Sequence, residues 1–264
     1  MRDKPTDIHQ LLRQALAAQM ELGVSEVVLN RDRKVATAQA TTLDSEPRVV
    51  SVQEAINPQT EGLFMSQGGL DLQQEPSYHS LQEHYEAIKD CTKCRLWEGR
   101  SKFVYGVGNP DADLMFVGEG PGAEEDRLGE PFVGRAGKLL DKILAAINLD
   151  RNEVYIANMV KCRPPGNRDP QPDEMATCQP YLREQIRLIR PKLMCALGRI
   201  AGQALLNTNT PLGKLRGRFH PYDGIPLLVT YHPAALLRFP AYKRDTWEDM
   251  QKLRAKYDEL RQTK

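Results

Sequence analysis

Short apolar runs alternate with longer mixed stretches through the carboxy-terminal two-thirds of the chain. Leu114–Val117, Val154–Ala157, Leu193–Leu197 and Leu227–Thr230 are four or five residues each without a charged side chain. Runs of that length and composition read as strands buried on both faces. Between and after them, Gly137–Ile147, Asp173–Ile189, Arg199–Leu206 and Tyr242–Arg261 read as helices. Strand and helix in alternation predict parallel βαβ units and therefore an α/β fold: three layers, α/β/α, around a central four-stranded parallel sheet. In such a sheet the functional residues gather at the carboxyl ends of the strands.

The first part of the chain has a different texture. Ile8, Leu11, Leu12, Ala15, Leu16 and Met20 repeat at three- and four-residue spacing, which predicts one amphipathic helix over about 6–22, with Thr6 as N-cap and Gly23 as stop. Val24–Leu29 is a candidate short strand. Residues 35–80 mix Thr, Ser, Gln, Gly and Pro without a sustained period, so this segment is expected to be a disordered linker. The division expected is an extension over 1–85 and a folded domain over 86–264. The apolar stripe of the helix suits a protein partner; the alternative is a nonessential extension.

A hydrophobic fraction of 41% is enough to fill a core. The chain has neither a run of eighteen apolar residues nor a secretory signal, so no membrane association is expected and a cytoplasmic protein is. Net charge is +1, unevenly placed: residues 1–85 hold 7 Lys+Arg against 12 Asp+Glu, and the remainder 29 against 23. The basic excess therefore accompanies the motifs, as suits local contacts with phosphates.

Without an export signal, five cysteines read as thiols or metal ligands rather than disulfides. Cys91 and Cys94 form a C-x2-C pair, and Cys162 and Cys178 follow separately, so four thiols come from three places. Zinc and an iron–sulfur cluster both use four thiolates. A zinc ribbon is usually built on two such pairs, and the single pair tilts the reading toward a cluster with an architectural role. Cys195, inside a predicted strand, reads as a buried free thiol.

Unusual residues stand at the strand ends. After the first come Gly118-Glu119-Gly120-Pro121-Gly122 and the acidic run Glu124-Glu125-Asp126, then Pro131-Phe132-Val133-Gly134. The glycines let backbone approach a ligand; the missing GK[ST] and the acidic run argue against a phosphate loop. After the second strand, Asn158 offers a donor and an acceptor side by side, the pattern needed to read a pyrimidine edge. Arg163 and Arg168 follow in a Pro- and Gly-containing loop and fit phosphate contacts. After the fourth strand, His232 is placed to donate to an oxygen that becomes negative during reaction. Leu236, Leu237 and Arg238 are expected on a loop whose apolar tip fills the gap left by an extruded base.

Together, GEGPG-x3-D, PFVG-x-AG, the N-x3-C after the second strand, the fourth cysteine and HPAALLR resemble the family 4 uracil-DNA glycosylases, the iron–sulfur branch of that superfamily, from about Glu86 to Leu260. The resemblance implies hydrolysis of the N-glycosidic bond of uracil in DNA and a structural [4Fe–4S] cluster on Cys91, Cys94, Cys162 and Cys178; a monomer is the default for a domain that must close around one nucleotide. It implies that Phe132 stacks on the flipped base, Asn158 bonds its Watson–Crick edge, and the backbone of Gly118, Glu119 and Gly120 lies against it. His232 then stabilises charge on uracil O2. Family 1 enzymes carry a catalytic Asp where Gly120 lies here, which leaves Glu119 and Glu125 as candidates for activating water; Glu125 is alternatively a wall against the thymine methyl. A related branch captures uracil covalently through a His in an inserted loop. The stretch Lys214–His220 has no such insertion, so simple hydrolysis is expected. The rival functions are a non-catalytic nucleic-acid-binding module of the same fold and a zinc-stabilised hydrolase of free nucleosides.

Overall fold

A computed structural model describes residues 78–262. The helix expected over about 6–22, the strand Val24–Leu29 and the linker up to residue 77 lie outside the described residues.

In chain order the strands are β1 (Val107–Gly108), β2 (Leu114–Gly118), β3 (Tyr155–Asn158), β4 (Leu193–Leu197), β5 (Phe219–Tyr222) and β6 (Ile225–Thr230). Their spatial order is β1-β3-β2-β4-β6-β5. The inner four run parallel and are the four runs read from the sequence. The expected four-stranded sheet needs correction at its margins, where β1 and β5 add antiparallel edges. Two residues of β1 are too few to leave a pattern, and β5 contains Pro221, which an edge strand tolerates. One signal for β5 was present. Asp223 and Gly224, with φ of 45° and 81°, form a tight turn into β6, and Asp-Gly between strands marks a two-residue hairpin.

Alternate strand residues build two cores. Leu114, Phe116, Ile156, Cys195 and Leu228 face one way, under α3 (Arg135–Ala146) and α8 (Tyr242–Gln262), and pack with Leu144 and Leu253. Met115, Val117, Ala157, Met194 and Val229 face the other, under α4 (Pro172–Ile189) and α5 (Arg199–Leu205). Burial on both faces explains why these strands carry no polar alternation. Here the three α/β/α layers are as expected, and the four helices read from the sequence lie within two residues of their expected ends.

A third, smaller core sits beside the sheet. Ile88 of the helix Leu81–Ile88, which we name α1, joins Leu96, Phe103, Tyr105, Val160 and Tyr181 there. The domain boundary expected at residue 86 falls inside α1, whose His84 is buried against the Tyr105 hydroxyl at 2.8 Å. Burial lowers the His84 pKa to about 4. The remaining short helices are α2 (Ala123–Leu128), α6 (Leu212–Leu215) and α7 (Pro233–Arg238); α7 occupies the stretch expected to be a loop.

Candidate functional site

Three parallel strands end at one cavity of about 690 Å³, lined among others by Glu119, Phe132, Asn158 and His232. Asn158, the last residue of β3, lies in register with Gly118, the last of β2. A Cβ on Gly118 would come within 2.4 Å of Asn158 Oδ1 and 2.6 Å of Phe132 Cζ. Its absence lets the amide and the phenyl ring both lie over the strand end. Among the described residues, Asn158 Oδ1 is the buried side-chain polar atom left without a hydrogen-bond partner. Such an acceptor costs about 1–3 kcal/mol until a donor arrives.

Phe132 sits in the loop between α2 and α3 with φ of 55°, an unusual backbone state for a bulky residue. Two contacts hold it there. The Glu125 carboxylate accepts from the backbone N–H of Val133 at 3.0 Å and of Gly134 at 2.9 Å. On the other side, Gly137 packs so closely that a Cβ would fall 1.9 Å from the Phe132 carbonyl oxygen. Glu125 therefore fastens the loop that carries the ring.

His232 follows β6 and caps α7. The Ala234 N–H donates to His232 Nδ1 at 3.2 Å, which places the proton of the neutral ring on Nε2. Burial, reinforced by the charge of Arg238 and opposed by Glu125, lowers its pKa to about 4, so the ring is neutral at pH 7. The Phe132 and His232 rings lie 5.4 Å apart, tilted by 34°. Glu119 lines the same cavity; burial, then the negative charge of Asp169, raises its pKa to about 7, against the opposing charges of Arg199 and Arg238.

The residues expected to touch DNA divide. Arg238 and Leu237 line the cavity and are exposed. Arg163 donates to Asn167 Oδ1 at 2.8 Å in the adjoining loop. One of these expectations is corrected. Leu236 is fully buried in the core, because adjacent residues of a helix point about 100° apart and only one of the pair can face outward. Arg168 lines the cavity with its guanidinium held by the buried Glu174 carboxylate, at 2.7 and 2.8 Å. The sequence reading missed Arg135, Asn167 and Asp169, which also line the cavity. Asn167 had a local cue, as Gly166-Asn167 is a turn dipeptide, and both residues take positive φ.

The four cysteines gather in the third core, with Cys162 and Cys178 buried and Cys91 and Cys94 at its edge. Donors are directed at their sulfurs: Tyr181 O–H to Cys91 at 3.2 Å, Arg100 Nη1 to Cys162 at 3.3 Å and Lys161 N–H to Cys178 at 3.4 Å. Burial raises the pKa of Cys94 and Cys162, and that of Cys178 to about 12. Among the described residues, no group of three or more His, Cys, Asp or Glu is arranged to hold a metal ion. Cys195 lies in the main core, as expected of a free thiol. One buried lysine joins the two regions. Lys161 Nζ donates to the Asn158 carbonyl at 2.9 Å and to Gln185 Oε1 at 2.6 Å, while its neighbour is Cys162.

The comparisons agree with this geometry. The model of the uracil DNA glycosylase superfamily matches residues 105–251. The chain is 42% identical over 182 residues to a type-4 uracil-DNA glycosylase of Archaeoglobus fulgidus, across 66% of this chain and 92% of that one. It is 44% identical over 178 residues to a type-4 enzyme of Saccharolobus solfataricus, across 64% and 82%. A type-4 enzyme of Thermotoga maritima is 43% identical over 176 residues, across 64% and 91%. With a superfamily match over more than half of its length and 82–92% of these relatives covered, the chain belongs to the uracil DNA glycosylase superfamily, in its type-4 family.

Proposed function

We propose that this protein hydrolyses the N-glycosidic bond of uracil in DNA, releasing uracil and leaving an abasic site. The observation that carries the reading is Asn158 Oδ1, a buried acceptor without a donor beside a cavity also lined by Phe132 and His232. Uracil has an N–H at position 3 beside the O4 acceptor, the complement of a carboxamide. Cytosine offers no N3–H and a donor in place of O4, so an amide held with Oδ1 as the buried acceptor facing N3 rejects it.

As the glycosidic bond breaks, its electron pair passes to uracil N1 and the charge spreads onto O2. The neutral His232 donates from Nε2 toward that oxygen, a contact typically worth about 3 kcal/mol. Phe132 stacks on the base and offsets part of the cost of extrusion, roughly 1–3 kcal/mol. Water adds to C1′ of the sugar, and Glu119 accepts its proton; a carboxyl group raised to about 7 is suited to a general base near neutral pH. Glu125, whose Oε1 accepts two backbone bonds, serves better as a positioning residue. His220 is not among the residues that line the cavity, and its Nε2–H donates to the Leu215 carbonyl at 2.8 Å, which favours hydrolysis over covalent capture.

Arg163, Leu237 and Arg238 are the proposed DNA contacts, the arginines to phosphate and Leu237 to the gap in the stack. The four thiols suit a [4Fe–4S] cluster: an all-sulfur donor set in an apolar shell, with hydrogen-bond donors aimed at the sulfurs. Bound there, the cluster would pin the segment before β2 to the loop after β3 and to α4. Four unpaired thiols and a DNA substrate fit the cytoplasm. A cavity completed by one chain fits action as a monomer.

The test is single-turnover base release from strands carrying one uracil, cytosine or thymine. Free uracil from the first strand alone is expected. No release from any strand would favour a non-catalytic binding module.

A further inference from the structure

Among the described residues, exposed apolar side chains concentrate just past the cavity rim: Leu237 is 41% exposed, Phe239 55% and Tyr242 36%. They are held in a fixed arrangement. The Phe239 N–H donates to the Ala235 carbonyl at 2.8 Å, and the Tyr242 N–H to the Phe239 carbonyl at 3.1 Å. The Tyr242 ring stacks on Tyr231 at 4.3 Å between centroids and 3° between planes, and Phe239 leans on Tyr242 at 5.7 Å and 52°. The Arg216 guanidinium lies 5.4 Å from the Tyr231 ring and is itself fixed by the buried Asp249, at 2.8 Å. A ladder of one cation and three rings thus runs from a buried ion pair to the surface and ends on Phe239.

We propose that Phe239, backed by Tyr242, is a stacking platform for the unpaired base of a nucleotide next to the extruded uracil. The proposal rests on the uracil-excision reading and deepens it by assigning a second base-binding position. Three observations favour a nucleobase. The platform is continuous with the cavity, since Leu237 and Arg238 line it and Phe239 is the next residue. Exposed Arg238 lines the cavity and directly precedes Phe239, so its charge complements a backbone phosphate linking the two bases. A rigid, exposed ring is suited to stacking any base, whereas an exposed Phe otherwise only adds apolar surface in water. A neighbouring base is available for this when it is unpaired, so the platform favours single strands.

The experiment uses the full chain and single strands carrying 2′-fluoroarabino-uridine, whose glycosidic bond resists cleavage, with fluorescent 2-aminopurine on its 5′ or its 3′ side. Binding is expected to quench 2-aminopurine on one side, and Phe239→Ala to abolish that quenching while Phe239→Trp retains it. On cleavable single strands, Phe239→Ala is expected to raise KM about tenfold with kcat unchanged, equivalent to about 1.4 kcal/mol. On duplex DNA the rise should be much smaller. Quenching on neither side, quenching that survives in Phe239→Ala, or an equal KM rise on duplex would each overturn the platform. Failure of the unaltered protein to release uracil would instead overturn the reading on which it rests.

Discussion

The phenyl ring of Phe132 and the imidazole of His232 approach to 5.4 Å from two separate loops, one fastened by Glu125 and the other by the first turn of α7. Pocket geometry of this kind exists before substrate arrives, which is what the energetics of base extrusion require: stacking and hydrogen bonding can offset unstacking only if the groups need no further ordering.

Removal of the donor to uracil O2 should act on the transition state. His232→Ala is expected to lower kcat by about 10²–10³-fold, with DNA affinity little changed. Single-turnover rates and equilibrium binding to an uncleavable strand separate the two effects. Equal losses in both would contradict the role.

Base selection should follow the Asn158 amide. Asn158→Asp replaces a donor by an acceptor, and the ratio of uracil to cytosine excision is expected to fall at least tenfold, read by competition between the two strands. An unchanged ratio would rule the amide out as the reader.

Gly118 should tolerate no side chain. In Gly118→Ala the new methyl group would meet both Asn158 and Phe132 at under 3 Å, so uracil excision should fall by two orders of magnitude or more while the sheet persists. Far-ultraviolet dichroism and excision rates together check this. Near-normal activity would mean that the two side chains do not need their present places.

Much of this was legible in the sequence for a simple reason. The four inner strands are buried on both faces, so each appears as an unbroken apolar run, and the motif residues stand at the ends of those runs. The remainder depended on relationships that a linear pattern does not carry. Leu236 and Leu237 look alike in sequence, yet helix geometry sends one into the core and the other to the rim. Glu125 is an acidic residue in a glycine-rich loop, and only the positions of the Val133 and Gly134 N–H groups identify what it holds. Arg168 is likewise one of several loop arginines until Glu174 is seen to hold it. The edge strands escaped notice because one is two residues long and the other contains a proline.

Acid should affect activity and stability through different groups. If Glu119 accepts the proton of water, kcat/KM should rise with pH through about 7, and Glu119→Gln should remove that dependence. His84 and His232 have folded pKa values of about 4, below the ordinary 6.5. Between those values the unfolded chain binds more protons than the folded one, so their contribution to stability is present above pH 6.5 and is lost as pH falls toward 4. Urea midpoints across this window should therefore drop on the acid side, and less steeply in His232→Gln, by about one proton in the linkage slope.

The thiol site should be separable from the chemistry. Cys162→Ser and Cys178→Ser are expected to lose iron content and visible absorption and to unfold at lower temperature, since the third core would lose its metal pin. Elemental analysis showing zinc in place of iron in anaerobically purified protein would replace the cluster by a zinc site while leaving the base pocket as described.

The most direct test of the pocket is a crystal structure of the protein with uracil. The account predicts the pyrimidine stacked on Phe132, its N3–H donating to Asn158 Oδ1 and its O2 within hydrogen-bond reach of His232 Nε2. Uracil bound elsewhere, or bound in the cavity with Asn158 Oδ1 still lacking a donor, would contradict it.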